Sequence, residues 1–166
     1  LPLGGISTLI TFARSENEAD DRRWTVPFRS ISPEYFRVMG IPLLMGRPFN
    51  ESDREGAPQV AIINEALARR MWPGENPIGK SLPTGGFLPV VGVVGNVKYD
   101  SLKAEPEPEL YLPYLQRLGV AQSALVIRAA SEPLKLAASV RKTIRNLHSD
   151  QPVNEVRTME ELIANS

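Results

Sequence analysis

The stretch Gly74-Glu75-Asn76-Pro77-Ile78-Gly79-Lys80-Ser81 matches the phosphate-binding pattern G-x-x-x-x-G-K-[ST] letter for letter. In a working nucleotide site such a loop leaves a strand and opens a helix. Loop N–H groups and the helix N-terminus then cradle the phosphates, and the lysine meets their outer oxygens. Here the order is reversed: a helical pattern precedes the motif and Leu82-Pro83-Thr84-Gly85-Gly86 follows it. Gly85 and Gly86 oppose a helix at that point, and Pro77 removes an N–H that the cradle needs. The expectation is a turn between a helix and a strand. A P-loop nucleotide-binding enzyme ranks last among the functional readings.

The other chemistry-bearing residues form no constellation. Gly92-Val93-Val94-Gly95 falls short of G-x-G-x-x-G and sits inside a strand-like run, where a bulge is the simpler reading. His148, the single histidine, falls at a helix C-terminus. It has no cysteine or second histidine to make it a zinc site, and no nucleophile elbow to make it the base of a serine triad. Glu16, Glu18, Asp20 and Asp21 lack the alternating Asp/Asn pattern with a central glycine that a calcium loop requires. Trp24, Trp72, Tyr99 and Tyr111 recur at strand and helix spacing, which reads as core rather than as a ligand pocket. The sequence thus assigns no catalytic residue, no cofactor-binding residue and no metal ligand, and it implies no cofactor.

Composition narrows the class further. In 166 residues, 42% are hydrophobic and 23% charged, with 19 basic residues balanced by 19 acidic ones. That is the make-up of a globular domain able to bury a core, not of a disordered chain. The balance leaves no basic footprint for nucleic acid. There is no cysteine to report a redox compartment. No apolar run reaches the ~18 residues of a membrane span, and no signal peptide opens the chain. The start at Leu1 and the stop at Ser166, soon after a helix begins, read as cut ends of a longer chain.

The elements follow from patterning. Ile6 to Ala13 and Trp24 to Ile31 are rich in Thr, Ile, Phe and Val and read as a hairpin, with Arg14 to Arg23 as a solvated loop. Ser32-Pro33-Glu34 reads as a helix start with Ser32 as N-cap, and Gly40 with Pro42 ends that helix. Gln59 to Ile63 reads as a strand ending on Asn64. That residue caps a helix bearing Leu67, Ala68, Met71 and Trp72, with Glu65 and Arg69 paired on its outer face. Leu88 to Tyr99 gives the strongest strand signal. Glu105-Pro106-Glu107-Pro108-Glu109 must be extended. Ala124 to Ala129 and Val153 to Val156 are expected as strands. Between them, from Pro133 to His148, Leu136, Val140, Ile144 and Leu147 recur at helical spacing, and that face is expected to pack inward. Thr158-Met159-Glu160-Glu161 spells a capping box. The sum is an α+β fold with mixed or antiparallel strands.

These segments, taken in order, resemble a family. Ser32-Pro33-Glu34-Tyr35-Phe36, the run Met39 to Phe49 (MGIPLLMGRPF), Val60 to Ala68 (VAIINEALA) and Trp72 to Lys80 (WPGENPIGK) are similar to the MacB-like periplasmic core domains of ABC transporter permeases, the FtsX/MacB-type family. Val90 to Val97, Glu109 to Tyr114 and Val156 to Glu161 continue the likeness to the end of the chain. The resemblance implies a porter-like mixed-sheet lobe at about residues 1–42 and 119–166, with an inserted Sabre-like α+β lobe at about 43–118. It also implies that the first strand and helix of the porter lobe are missing before Leu1.

The same resemblance implies a non-catalytic domain outside the cytoplasmic membrane, carried between transmembrane helices of one permease. Its implied partners are those helices, a cytoplasmic ABC ATPase, a second permease copy and a periplasmic protein, with no nucleic acid. Its implied work is efflux or mechanotransmission, the passing of an ATPase-driven change to periplasmic substrates or partners. A free-standing periplasmic ligand-binding module is the alternative, and it differs in predicting a ligand and no flanking spans.

Overall fold

The computed structural model describes residues 8–12, 24–84, 86–97, 106–116, 124–130, 132–149, 152–153 and 155–164. Its strands are β1 (Thr8–Phe12), β2 (Trp24–Ile31), β3 (Leu43–Gly46), β4 (Ala61–Asn64), β5 (Ser81–Pro83), β6 (Phe87–Val94) and β7 (Leu110–Pro113). The helices are α1 (Tyr35–Met39), α2 (Glu65–Met71), α3 (Pro133–Leu147) and α4 (Met159–Ala164), with a 3-10 turn at Tyr114–Gln116. The strands form one sheet in the order β1-β2-β7-β4-β6-β3, with β5 paired to β6. Pairing is antiparallel for β1–β2, β7–β4, β6–β3 and β5–β6, and parallel for β2–β7 and β4–β6. The expected α+β class and the expected hairpin are therefore present.

The centre of this sheet is covered on both faces. All four residues of β4 and all four of β7 are buried, which is why both read as continuous rather than alternating apolar runs. On one face Val26, Phe28, Ala61, Ile63, Val90, Val93, Leu110 and Leu112 pack with Leu67 of α2 and with Leu82 and Leu88. On the other, Ile31, Ile62, Val94 and Tyr111 pack with Phe36 of α1, Phe49 and Val60. Tyr111 centres that second core, with the Phe36 ring edge-on at 4.9 Å.

Val90 and Val93 face the same core although an odd spacing should place them on opposite faces. A register shift supplies the missing step: Ala61 pairs Val90 but Ile62 pairs Gly92, leaving Val91 as an extra residue on β6. The glycine-marked bulge expected in this run is thus real. A side chain at Gly92 would lie 2.5 Å from the Arg47 carbonyl. One at Gly46, whose φ is +75°, would lie 2.2 Å from the Val91 carbonyl. Backbone approaches backbone here, and only glycine fits.

Four expectations need correction. Ser32 does not cap α1. Its carbonyl accepts from the Tyr35 N–H at 3.1 Å, closing a turn, and the helix begins two residues later from Glu34, which makes no side-chain cap. Residues 124–129 form no strand and join no ladder among the described residues, and they leave Leu125 and Ile127 exposed. The described residues of the Val153 to Val156 segment likewise form no strand. A β-prone run becomes a strand only where a neighbour offers N–H and C=O partners. The fourth concerns α3, which forms as expected and has Pro133 in its first turn. None of its residues is buried, and Leu136 and Leu147 are exposed. The Arg14 to Arg23 loop, Tyr99 and Glu105 lie outside the described residues.

Candidate functional site

The segment that mimics a phosphate loop is built as a turn. It follows α2, spans 74–80 and runs into β5 rather than into a helix. Four of its N–H groups are engaged within the protein: Glu75 donates to the Trp72 carbonyl, Ile78 to the Asn76 side chain, Gly79 to the Val90 carbonyl and Lys80 to the Pro77 carbonyl. Gly74 and Gly79 take φ of +75° and +83°, which serves the chain reversal. The Lys80 ammonium is paired with the Glu75 carboxylate and sits 5.7 Å from the Trp72 ring centroid. With four donors bonded within the protein and the lysine held by a carboxylate and a ring, and with β5 rather than a helix following, the arrangement differs from a phosphate cradle.

The densest polar arrangement lies where β4 meets α2 and β7. Asn64, fully buried, accepts the Leu67 N–H at 2.9 Å and so caps α2 as its position predicts. The same oxygen accepts the Glu109 N–H at 3.0 Å, and its amide donates to the Glu107 carbonyl at 2.7 Å. Beside it the Asn96 side chain accepts the Ala66 N–H and donates to Glu65. Glu109 is 2% exposed. Its carboxylate pairs with the Arg29 guanidinium of β2 and accepts the Tyr111 hydroxyl at 2.7 Å. Each charge is matched and each of these polar groups is bonded, as burial demands.

The sequence places Glu109 in an extended acidic run and at the head of the Glu109 to Tyr114 likeness, and assigns it no partner. One signal was available: Glu109 and Tyr111 are two apart in a strand-like segment and so share a face. The Arg29 partner lies 80 residues away and left no local trace.

A second pair ties the loop after β3. Arg47 holds Asp53 in a fork, with contacts of 2.7 and 2.8 Å, and the Asn50 N–H adds a third bond at 3.0 Å. The Arg47 hydrogen bonds hold the Asp53 carboxyl below its ordinary value, against an opposing push from burial.

The remaining sequence candidates scatter. Trp72 flanks the α2-side core and Tyr111 centres the other, while Trp24 opens β2. His148 follows α3 and donates its backbone N–H to the Ile144 carbonyl. Among the described residues no group of His, Asp or Glu side chains converges to hold a metal ion, and no helix is long and apolar enough to cross a membrane. Among the described residues no set of sequence-named candidates makes contacts that would form a site. What it assembles is a polar knot inside the sheet.

Comparison with known proteins gives one consistent picture. The family model described as the MacB-like periplasmic core domain matches residues 4–147. The macrolide export ATP-binding/permease protein MacB of Aggregatibacter actinomycetemcomitans is 28% identical over 115 residues, which cover 69% of this chain and 17% of that protein. The probable syringafactin export ATP-binding/permease protein SyfD of Pseudomonas syringae is 29% identical over 115 residues, covering 68% of this chain and 16% of that protein. The chain therefore spans only a small part of such relatives. In fold it is similar to the crystal structure of the periplasmic region of MacB from Actinobacillus actinomycetemcomitans. The TM-score is 0.60 at 22% identity, with 86% of this chain and 64% of that one covered.

Proposed function

This chain belongs to the MacB-like periplasmic core domain family, and from that premise we propose that it transmits conformational change rather than catalysing a reaction. In this reading it is the extracytoplasmic part of an ABC transporter permease. Helices of the same permease carry it, a cytoplasmic ABC ATPase drives it, and it works in a permease dimer on substrates or a partner protein in the periplasm. The observation that carries the reading is the family match over residues 4–147. What accompanies it is a sheet in which buried Asn64, Glu109 and Tyr111 bond to one another, and a phosphate-loop lookalike in which the Glu75, Ile78, Gly79 and Lys80 N–H groups are bonded within the protein.

The two relatives named above carry names of macrolide export and syringafactin export. We extend export to this chain, but neither substrate. The same proposal keeps a porter-like lobe of residues 1–42 and 119–166 around an inserted lobe of 43–118. What favours it is α3, none of whose described residues enters either core, although β2 and α1 of the first lobe supply Val26, Phe28, Ile31 and Phe36 to the cores they share with the second.

The test is to read the source gene through both ends of this segment. Apolar stretches of about 20 residues on either side, followed by further spans, are the expected result. Polar flanks with a nearby stop codon would overturn the reading and leave a free-standing binding module to be sought.

A further inference from the structure

The proposed division at residues 42 and 43 falls within one sheet: β2 of the first lobe is hydrogen-bonded to β7 of the second. That seam is short. It has a parallel register of Phe28 with Leu110, Arg29 with Tyr111, Ser30 with Leu112 and Ile31 with Pro113. Its last pair includes a proline, which has no N–H to give to the ladder. Four rungs, one of them lacking a donor, are a thin backbone connection between two bodies expected to carry force.

The side chains strengthen it. Arg29, with 11% of its side chain exposed, reaches across the seam to the carboxylate of Glu109, which has 3% exposed. The Tyr111 hydroxyl holds the second carboxylate oxygen. The Glu109 backbone is fixed from the other side, its N–H to Asn64 and its carbonyl to the Asn64 N–H at 3.1 Å. A chain of bonds thus runs from β2 through β7 to the end of β4 and the first turn of α2. Stretching the Arg29–Glu109 link would uncover two buried charges, and the cost of an unpaired buried ion is steep.

The geometry points to a latch: the Arg29–Glu109 pair, keyed by Tyr111, locks β2 to the β3–β7 body so that residues 24–84, 86–97 and 106–116 move as one rigid unit. Motion in the domain then passes between this unit and α3, not through the junction at residues 42 and 43. The inference rests on the proposed function for its purpose, but not for its geometry.

Amide hydrogen exchange on the 166-residue chain tests it. The β2 amides of the unaltered chain should be protected as strongly as those of β4. Glu109→Gln should speed exchange in β2 about 100-fold while β4 and β6 keep their rates, because breaking one buried pair frees one seam. Tyr111→Phe keeps the core volume and should show the same pattern at about tenfold, which decides the matter if Glu109→Gln does not fold. Weakly protected β2 amides in the unaltered chain would overturn the latch. So would equal acceleration of every strand, the mark of a merely structural bond.

A second arm uses the whole gene product in liposomes, with spin labels at Thr25→Cys and Arg69→Cys. These 166 residues hold no cysteine, and any cysteine elsewhere in the gene product is first replaced by serine. The label distance should be the same with and without ATP, and a shift would refute the latch. If the gene product has no membrane spans and no ATPase, the proposed function falls, and the exchange experiment alone still decides the latch.

Discussion

The two cores of the central sheet and the α3–α4 region share the same sequence grammar and meet different fates. In β4, Ala61, Ile62 and Ile63 are apolar and fully buried, clamped between Leu67 on one face and Tyr111 on the other. In α3, Leu136, Val140, Ile144 and Leu147 repeat at helical spacing just as cleanly, yet none is buried and Leu147 is 71% exposed. Periodicity therefore states which face an element offers. Whether that face is used depends on what the rest of the chain brings to it. The sheet has long-range partners on both faces, whereas α4 is held at its start by its own capping box, with Thr158 and Glu161 exchanging bonds of 2.9 and 3.2 Å.

This contrast can be broken most directly at β4. Ile63→Ala should cost about 3–4 kcal/mol, the range for truncating a buried aliphatic side chain, read as the shift in urea-unfolding free energy. A loss below that of an exposed site would mean that the sheet is not the stable region. Asn64→Ala comes next, at about 2 kcal/mol, since it removes a helix cap and strands the buried Glu109 N–H and Glu107 carbonyl. Its measure is the same urea midpoint, with α2 amides expected to lose protection first.

A smaller effect belongs to Asp53. Its folded pKa lies below the unfolded one, so its contribution is complete above the unfolded value of about 4 and is lost as pH falls through the folded value. Stability should therefore decline on the acid side of pH 4. Asp53→Asn should flatten that part of the acid limb and cost about 1 kcal/mol at neutral pH. The smallest effect is expected at Leu147→Ala, below about 0.5 kcal/mol in this chain. A loss as large as that of Ile63→Ala would show that the α3 face is packed and would erase the contrast.

What the sequence revealed divides along the same line. The Asn64 cap, the bulge in β6 and the Thr158 capping box are readable because each is marked within a few residues, and the β1–β2 hairpin because its strands are two adjacent β-prone runs. The Glu65–Arg69 pair, at 3.5 Å, belongs with them. β3 was not foreseen, and its residues Leu43, Leu44 and Met45 are all exposed, so no alternation marks it as a half-buried strand. The partnership of Arg29 with Glu109 was invisible because only the folded sheet places two such distant residues together. Ser32-Pro33-Glu34 misled in the other direction: its residues suit a helix cap, but the same residues also suit a tight turn. Expected strands at 124–129 and 153–156 failed for a different reason, since propensity cannot specify a neighbour.

The β2–β7 seam also bears on the order in which this chain can fold. β3, β4, β5 and β6 all lie between residues 43 and 94 and can pair while only that stretch is present. β2 precedes them, yet its pairing must wait for β7, and closing so long a loop is entropically late. The hairpin strand would then dock after the nucleus has formed, with a φ-value near zero at Val26 against a high one at Ile63. An early strand that joins last spends its waiting time with one edge open, at the stage when such chains are most prone to pair with the wrong neighbour.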